Sequence, residues 1–221
     1  MKSLLGLFLF SSIAFSQVET RIKIAVIDTG ISIEQEDMRY MCKDGVKNFT
    51  SSPRYDINGH GSHIVHIIGS RIDSNKYCIV SYKVFDDKMF FDADIKSLQE
   101  IALDENVKFL NISMSGSGEY PDEFKLLNKI AEKEVKITIA AGNDKAFMSK
   151  NNCNYYPSCY KFKISKPNNL YIVGAINTDF SNYGPAVDIT TEGVVASIGG
   201  IKRGTSQASA MAMARMVNEP K

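Results

Sequence analysis

What this chain lacks narrows its chemistry before any motif is read. Lys and Arg number 26 against 25 Asp and Glu, so no surplus of one sign offers a field for nucleic acid or an anionic membrane. No run reaches the roughly 20 apolar residues that a bilayer-spanning helix needs. Neither Cys-x-x-Cys nor His-Glu-x-x-His occurs, which removes the common zinc frameworks, and no acidic spacing is specific enough to assign calcium. No internal repeat, linker or low-complexity tract divides the chain. With 44% hydrophobic residues in 221, the expectation is one domain around one core.

The single long apolar stretch lies at the start. Lys2 precedes Leu4-Leu5-Gly6-Leu7-Phe8-Leu9-Phe10, and Ala14-Phe15-Ser16 supplies small residues for a signal peptidase. Residues 1–16 therefore read as a signal peptide, and 17–221 as the exported domain, extracellular or periplasmic. No Cys follows the run to take a lipid, so no membrane attachment is expected after cleavage. Export changes the meaning of Cys42, Cys78, Cys153 and Cys159: in an oxidising compartment an even set reads as disulfides, although four cysteines allow three pairings. Cys153 with Cys159 is the obvious short loop. A metal site using His63 or His66 is the rival reading.

Past the leader, strand-like and helix-like patterns alternate. Ile22–Ile27, Cys78–Phe85, Val107–Ile112, Val135–Ala140 and Leu170–Val173 are short runs rich in Val, Ile and aromatics, suited to strands buried on both faces. Ile95, Leu98 and Ala102 recur at helical spacing. So do Phe124, Leu127 and Ala131, behind a Pro121-Asp122-Glu123 start in which Pro and acids favour a first helical turn. The alternation predicts an α/β fold, a mostly parallel sheet with helices on both faces. Sites in such sheets lie at the carboxyl ends of the strands, where Asp28, Ser113 and Asn143 fall.

Three separated stretches add an acid, a base and a nucleophile: Ile24-Ala25-Val26-Ile27-Asp28-Thr29-Gly30, Asn58-Gly59-His60-Gly61-Ser62-His63, and Gly204-Thr205-Ser206-Gln207-Ala208-Ser209-Ala210. A hydroxyl is a poor nucleophile at its own pKa and needs a base, and the base needs an acid to hold its tautomer and stabilise its cation. The order Asp28, His60, Ser206, with Ala140-Ala141-Gly142-Asn143 between the last two, resembles the subtilisin-like serine proteases, or subtilases. That resemblance implies a three-layer α/β/α fold and a serine endopeptidase acting through Asp28, His60 and Ser206. Asn143 would be the side-chain donor to the oxyanion, beside the Ser206 N–H at the start of a helix. No cofactor is required by that chemistry, and a monomer is expected.

The resemblance also implies a cleft for an extended peptide. Ser113, Met114, Ser115 and Gly116 match the segment that pairs with substrate backbone, and Ala140, Ala141 and Gly142 match the opposite wall of the primary specificity pocket. Cys42 and Cys78 would pair, because they stand beside strands that are neighbours in the subtilase sheet. Further matches run through Val173-Gly174-Ala175, Phe180-Ser181-Asn182-Tyr183-Gly184 and Val187-Asp188-Ile189.

Departures exist. Ser115 stands where the family often has Gly, His66 where it usually has Gly against a packed helix, and Ala210 where it has Pro. Thr191-Glu192-Gly193 replaces Ala-Pro-Gly, few residues follow Ser206, and too few separate Ser16 from Ile22 for a pro-domain. His66 would either sit at the surface or crowd its helix and tilt His60. Ile27-Asp28-Thr29-Gly30 also resembles an aspartic-protease signature, but that chemistry needs two carboxylates sharing a proton, and no second Asp-Thr-Gly is present. The alternative to an active enzyme is a subtilase-like peptide-binding protein that keeps the cleft without turnover.

Overall fold

The computed structural model of the chain describes residues 19–86 and 90–219; the expected signal peptide lies outside them. In chain order the elements are β1 (Ile22–Asp28), α1 (Ile33–Glu36), β2 (Met41–Asn48), α2 (His60–Gly69), β3 (Tyr77–Lys83), α3 (Phe91–Leu103), β4 (Val107–Ile112), α4 (Pro121–Glu132) and β5 (Lys136–Ala140). There follow two 3-10 turns (Ser158–Phe162 and Pro167–Asn169), β6 (Leu170–Ile176), β7 (Ile189–Glu192), the hairpin β8 (Val194–Ser197) and β9 (Gly200–Arg203), and α5 (Thr205–Asn218).

Seven strands form one sheet in the order β2-β3-β1-β4-β5-β6-β7, and every pair in it is parallel; only β8 and β9 pair antiparallel. Successive side chains of a strand point to opposite faces, so a central strand must be apolar on both. β1 does this: Ala25 and Ile27 join a core with Leu98 and Ile101 of α3 and Leu127 and Ile130 of α4. Ile24 and Val26 join a second core with Ile64, Ile67 and Ile68 of α2 and Met213 and Val217 of α5. The result is three layers, as the alternation of patterns predicts. All five strand runs read from the sequence are strands of this sheet. Among the described residues no helix is long and apolar enough to cross a membrane.

Two sheet strands escape the hydrophobic pattern, and both are edges. β2 carries Lys43, Asp44 and Lys47 and changes register against β3 between Met41 and Val46. Gly45 sits in that irregularity, where a Cβ would come within 2.7 Å of the Cys42 carbonyl oxygen and 2.8 Å of that of Ile79. β7 is four residues, Ile-Thr-Thr-Glu. An edge strand has one partner and less to bury, so apolar runs do not mark it. Disulfides join Cys42 to Cys78 and Cys153 to Cys159, which replaces the rival metal reading of the cysteines with covalent links.

Candidate active site

β1 ends at Asp28, whose side chain is fully buried at the carboxyl edge of the sheet. Its Oδ1 accepts from the Thr29 N–H and lies 2.7 Å from His60 Nδ1, while Oδ2 is buried without a hydrogen-bond partner. His60 is the first residue of α2, and the helix start is held close to β1. Gly61 donates its N–H to Thr29 Oγ1 at 2.7 Å, and a Cβ on Gly61 would fall 2.3 Å from the Gly30 carbonyl oxygen. Asp56 secures the turn before it: Oδ1 accepts from the N–H groups of Asn58 and Gly59, and Oδ2 from the N–H and hydroxyl of Ser62. These bonds satisfy helix-start donors that have no partner within the helix. Lys202, on β9, donates to the Gly59 carbonyl at 3.0 Å.

Two opposing effects set the basicity of His60. Burial disfavours its cation, but the Asp28 carboxylate favours it more, and the net result lies above the ordinary histidine value; Lys202 pulls the other way and Asp56 adds to the rise.

Ser206 is the second residue of α5 and nearly buried. Its hydroxyl donates to the Ser113 carbonyl at 2.9 Å, so its proton is directed to the end of β4 and not to His60. Ser113 answers with its own hydroxyl, 3.3 Å from the Ser206 carbonyl. Behind them Asn111 acts as a buried hub: Nδ2 donates to Ser113 Oγ, and Oδ1 accepts from Thr138 and Ser209. This network ties β4, β5 and α5 together directly under the serine. Asn143 stands beside it. Its Oδ1 accepts from the Thr205 N–H at 2.8 Å, and Thr205 Oγ1 accepts from the Gly142 N–H at 3.0 Å. The amide oxygen is thus engaged at the helix start, and the Nδ2 donor has no hydrogen-bond partner among the described residues.

His60, Ser113, Met114, Ala140, Asn143 and Ser206 line one open cleft of about 370 Å³. Ser115 and Gly116 continue from it into a hollow of about 260 Å³ with Asp144, Asn154 and Tyr155. Two residues of the expected wall, Ala141 and Gly142, are not among those lining this cleft. Ala141 and Gly142 are buried behind the cleft. The Ala141 N–H bonds Val173 O and its carbonyl bonds Asn182 Nδ2; the Gly142 carbonyl accepts from the Asn182 N–H. Gly142 has φ +103°, and a Cβ there would strike Asn182 Nδ2 at 2.4 Å, so this glycine serves the turn that presents Asn143. Gly116 is likewise spoken for on one side, bridging Tyr156 through both its N–H and its carbonyl.

The three histidines of α2 diverge. His63 Nε2 lies 3.2 Å from the Gly200 carbonyl, and His66 Nδ1 lies 3.4 Å from the Tyr40 hydroxyl. Burial depresses both below the ordinary value. His66 neither breaks α2 nor displaces His60 from Asp28; the close approach to this helix is made at Gly69, against whose Cα the Tyr40 ring packs. Sequence reasoning missed Asp56 and Lys202 as supports of His60. The Asp56-x-Asn58-Gly59 turn is a signal for the former; Lys202 has none, because it arrives from a hairpin far along the chain.

Comparison with known proteins bears on the family and the fold. Residues 19–217 match the model of the subtilase family. The chain is 33% identical over 204 residues to a subtilisin-like protease 1 of Pseudogymnoascus destructans, covering 84% of this chain and 48% of that one. It is 27% identical over 213 residues to an intracellular serine protease of Paenibacillus polymyxa, covering 86% and 63%. The chain thus spans from about half to under two thirds of the length of these relatives. Among solved structures it resembles a lanthipeptide protease, with TM-score 0.71, 18% identity and coverage of 89% and 72%. It also resembles a cold adapted subtilisin-like serine proteinase, with TM-score 0.67, 24% identity and coverage of 87% and 72%. With the family model spanning nearly every described residue and the acid, base, hydroxyl and amide gathered at one sheet edge, this chain belongs to the subtilase family.

Proposed function

We propose that the chain is a secreted serine endopeptidase that hydrolyses peptide bonds of an extended peptide or protein substrate. The observation that carries this reading is the 2.7 Å contact of Asp28 Oδ1 with His60 Nδ1 at the mouth of a cleft that also holds the Ser206 hydroxyl and the unpartnered Asn143 Nδ2. Asp28 holds the His60 proton on Nδ1, which leaves Nε2 as the basic nitrogen. When substrate enters, Ser206 Oγ exchanges the Ser113 carbonyl for Nε2, attacks the scissile carbonyl and passes its proton to His60. The imidazolium then gives that proton to the leaving amine as the C–N bond breaks, and water repeats the sequence on the acyl-enzyme. Charge on the carbonyl oxygen is met by the Ser206 N–H, in the first turn of α5 where the helix dipole is positive, and by Asn143 Nδ2. Metal is not required for any of these transfers.

Secretion is supported by the two disulfides and by the apolar stretch at Leu4–Phe10. A monomer is sufficient, since every group of the cleft comes from one chain. The test is labelling with a fluorophosphonate alongside cleavage of a peptide mixture. The expected result is one labelled residue, Ser206, and cleavage lost in Ser206→Ala. Peptide binding with neither labelling nor cleavage would instead establish the non-catalytic alternative.

A further inference from the structure

A second cavity, of about 280 Å³, opens beside the reactive cleft and shares Met114 and Ser115 with it. It falls below the roughly 300–1,000 Å³ of sites that enclose a whole small molecule, and suits one side chain. Its walls are the rings of Phe91, Tyr120 and Tyr156; Phe91 and Tyr120 lie 4.2 Å apart between ring centroids. Such walls alone would suit any apolar residue. The floor is different, because Glu123, 5% exposed, contributes to it, and among the described residues no Lys or Arg lines the cavity.

Among the described residues Glu123 forms no ion pair. Its one partner is the Tyr160 hydroxyl, 2.8 Å from Oε2, and the same hydroxyl stands 3.0 Å from the Tyr120 carbonyl. A phenol has one proton and cannot serve both acceptors. Nearby, Asp94 of α3 is 1% exposed with neither carboxyl oxygen hydrogen-bonded. Burial holds Glu123 up at about 7, and burial together with the Glu123 charge holds Asp94 at about 8. Beside the Tyr156 wall stand Glu119, whose Oε2 lies 3.5 Å from the Tyr156 hydroxyl, and Lys163, which is engaged with Glu119. The cavity therefore combines aromatic faces with one buried acid, a second buried acid nearby and, among the described residues, no lining cation, which is the chemistry of a cation site.

We propose that this cavity is a subsite for a basic side chain, lysine or arginine, of the peptide lying along Ser113–Gly116, with Glu123 as the residue that selects it. The proposal rests on the peptide-cleft reading above. A bound ammonium or guanidinium would ionise Glu123, whose proton leaves to solvent, turn the Tyr160 hydroxyl's hydrogen bond to the carboxylate in place of the Tyr120 carbonyl, and lie against the three rings.

The test uses the full chain carrying Ser206→Ala, so that peptides bind without turnover. A single lysine is moved along a neutral extended peptide, each version matched by its norleucine counterpart. At one position lysine should bind about tenfold tighter than norleucine, and the added change Glu123→Gln should bring that ratio to about one. A ratio that never favours lysine, or one that Glu123→Gln leaves unmoved, overturns the proposal. Calorimetry in two buffers gives an independent reading that needs no change at Glu123. Near pH 6, where Glu123 and Asp94 hold their protons, the lysine peptide should release a proton on binding and the norleucine peptide should not; equal release overturns the proposal. Lysine-selective binding by a chain whose Ser206 form neither labels nor cleaves would remove the peptidase reading alone. Absence of peptide binding at every position would remove both.

Discussion

Ser206 Oγ lies 2.9 Å from the carbonyl oxygen of Ser113 and donates to it, so the hydroxyl rests on the strand it was brought to by α5. The proposed chemistry needs the same proton to leave toward His60. The hydroxyl must therefore change partner on going from the resting to the reactive arrangement, and catalytic hydrogen bonds commonly tighten only when substrate is bound.

Removing that hydroxyl should therefore remove turnover and little else. Ser206→Ala is expected to lower kcat by a factor on the order of 10⁶ and abolish fluorophosphonate labelling, with thermal unfolding little changed. Steady-state assay, mass spectrometry of the labelled chain and a melting curve check the three statements. A fully active Ser206→Ala chain would overturn the assignment.

Asn143 has two duties that one pair of substitutions can separate. Its Oδ1 caps the Thr205 N–H, and its Nδ2 is the free donor. Asn143→Ala should lower kcat by roughly 10²–10³ with KM nearly constant. Asn143→Asp keeps the acceptor for Thr205 and loses the donor, so it should melt like the parent and still lose kcat. An unchanged kcat in either folded variant contradicts the oxyanion role.

Activity and stability should respond to pH in opposite directions. The base works when neutral, so kcat/KM should rise with pH through one titration placed above the ordinary histidine value of about 6.5. The raised folded pKa means that the charged His60–Asp28 pair stabilises the fold fully below the unfolded value, and that this contribution is lost as pH climbs through the folded value. Lys202 opposes the His60 cation, so Lys202→Met should move the kinetic titration to still higher pH. A titration that stays in place would show that Lys202 acts only through its bond to the Gly59 carbonyl.

The two disulfides should differ in weight. Cys42 and Cys78 are 36 residues apart and link the edge strand β2 to β3, whereas Cys153 and Cys159 are 6 apart. Loop-closure entropy assigns the longer link about 3–4 kcal/mol and the shorter one less. Denaturant unfolding of the two paired Cys→Ala variants checks the order; equal losses would point to native-state packing in place of chain entropy.

The sequence was most readable where burial is two-sided. Strands such as Ile22–Asp28 and Val107–Ile112 must be apolar on both faces, and their runs mark them; β2 and β7 lie at the edges and do not. Asp28, His60, Asn143 and Ser206 stood out because each sits in a short local motif; three of them line one cleft, and Asp28 is buried against His60. The orientations of Ala141 and Gly142 were not legible, since whether a residue faces the cleft or the sheet depends on Asn182, some forty positions away. Glu123 was legible only as a helix-start acid. Its place on a cavity floor, over Tyr160, depends on how α4 meets the turn at Ser158–Phe162.

The position of α5 has a consequence for the timing of biosynthesis. Ser206 follows every strand of the sheet in the chain, and α5 carries it in while burying Ala210, Met213 and Val217 in the core shared with α2. A growing chain that has displayed Asp28 and His60 still lacks the hydroxyl that the proposed mechanism sets beside His60. On the proposed reading the hydroxyl takes its place only when α5 seats, so any cutting edge would emerge behind completion of the sheet that carries it.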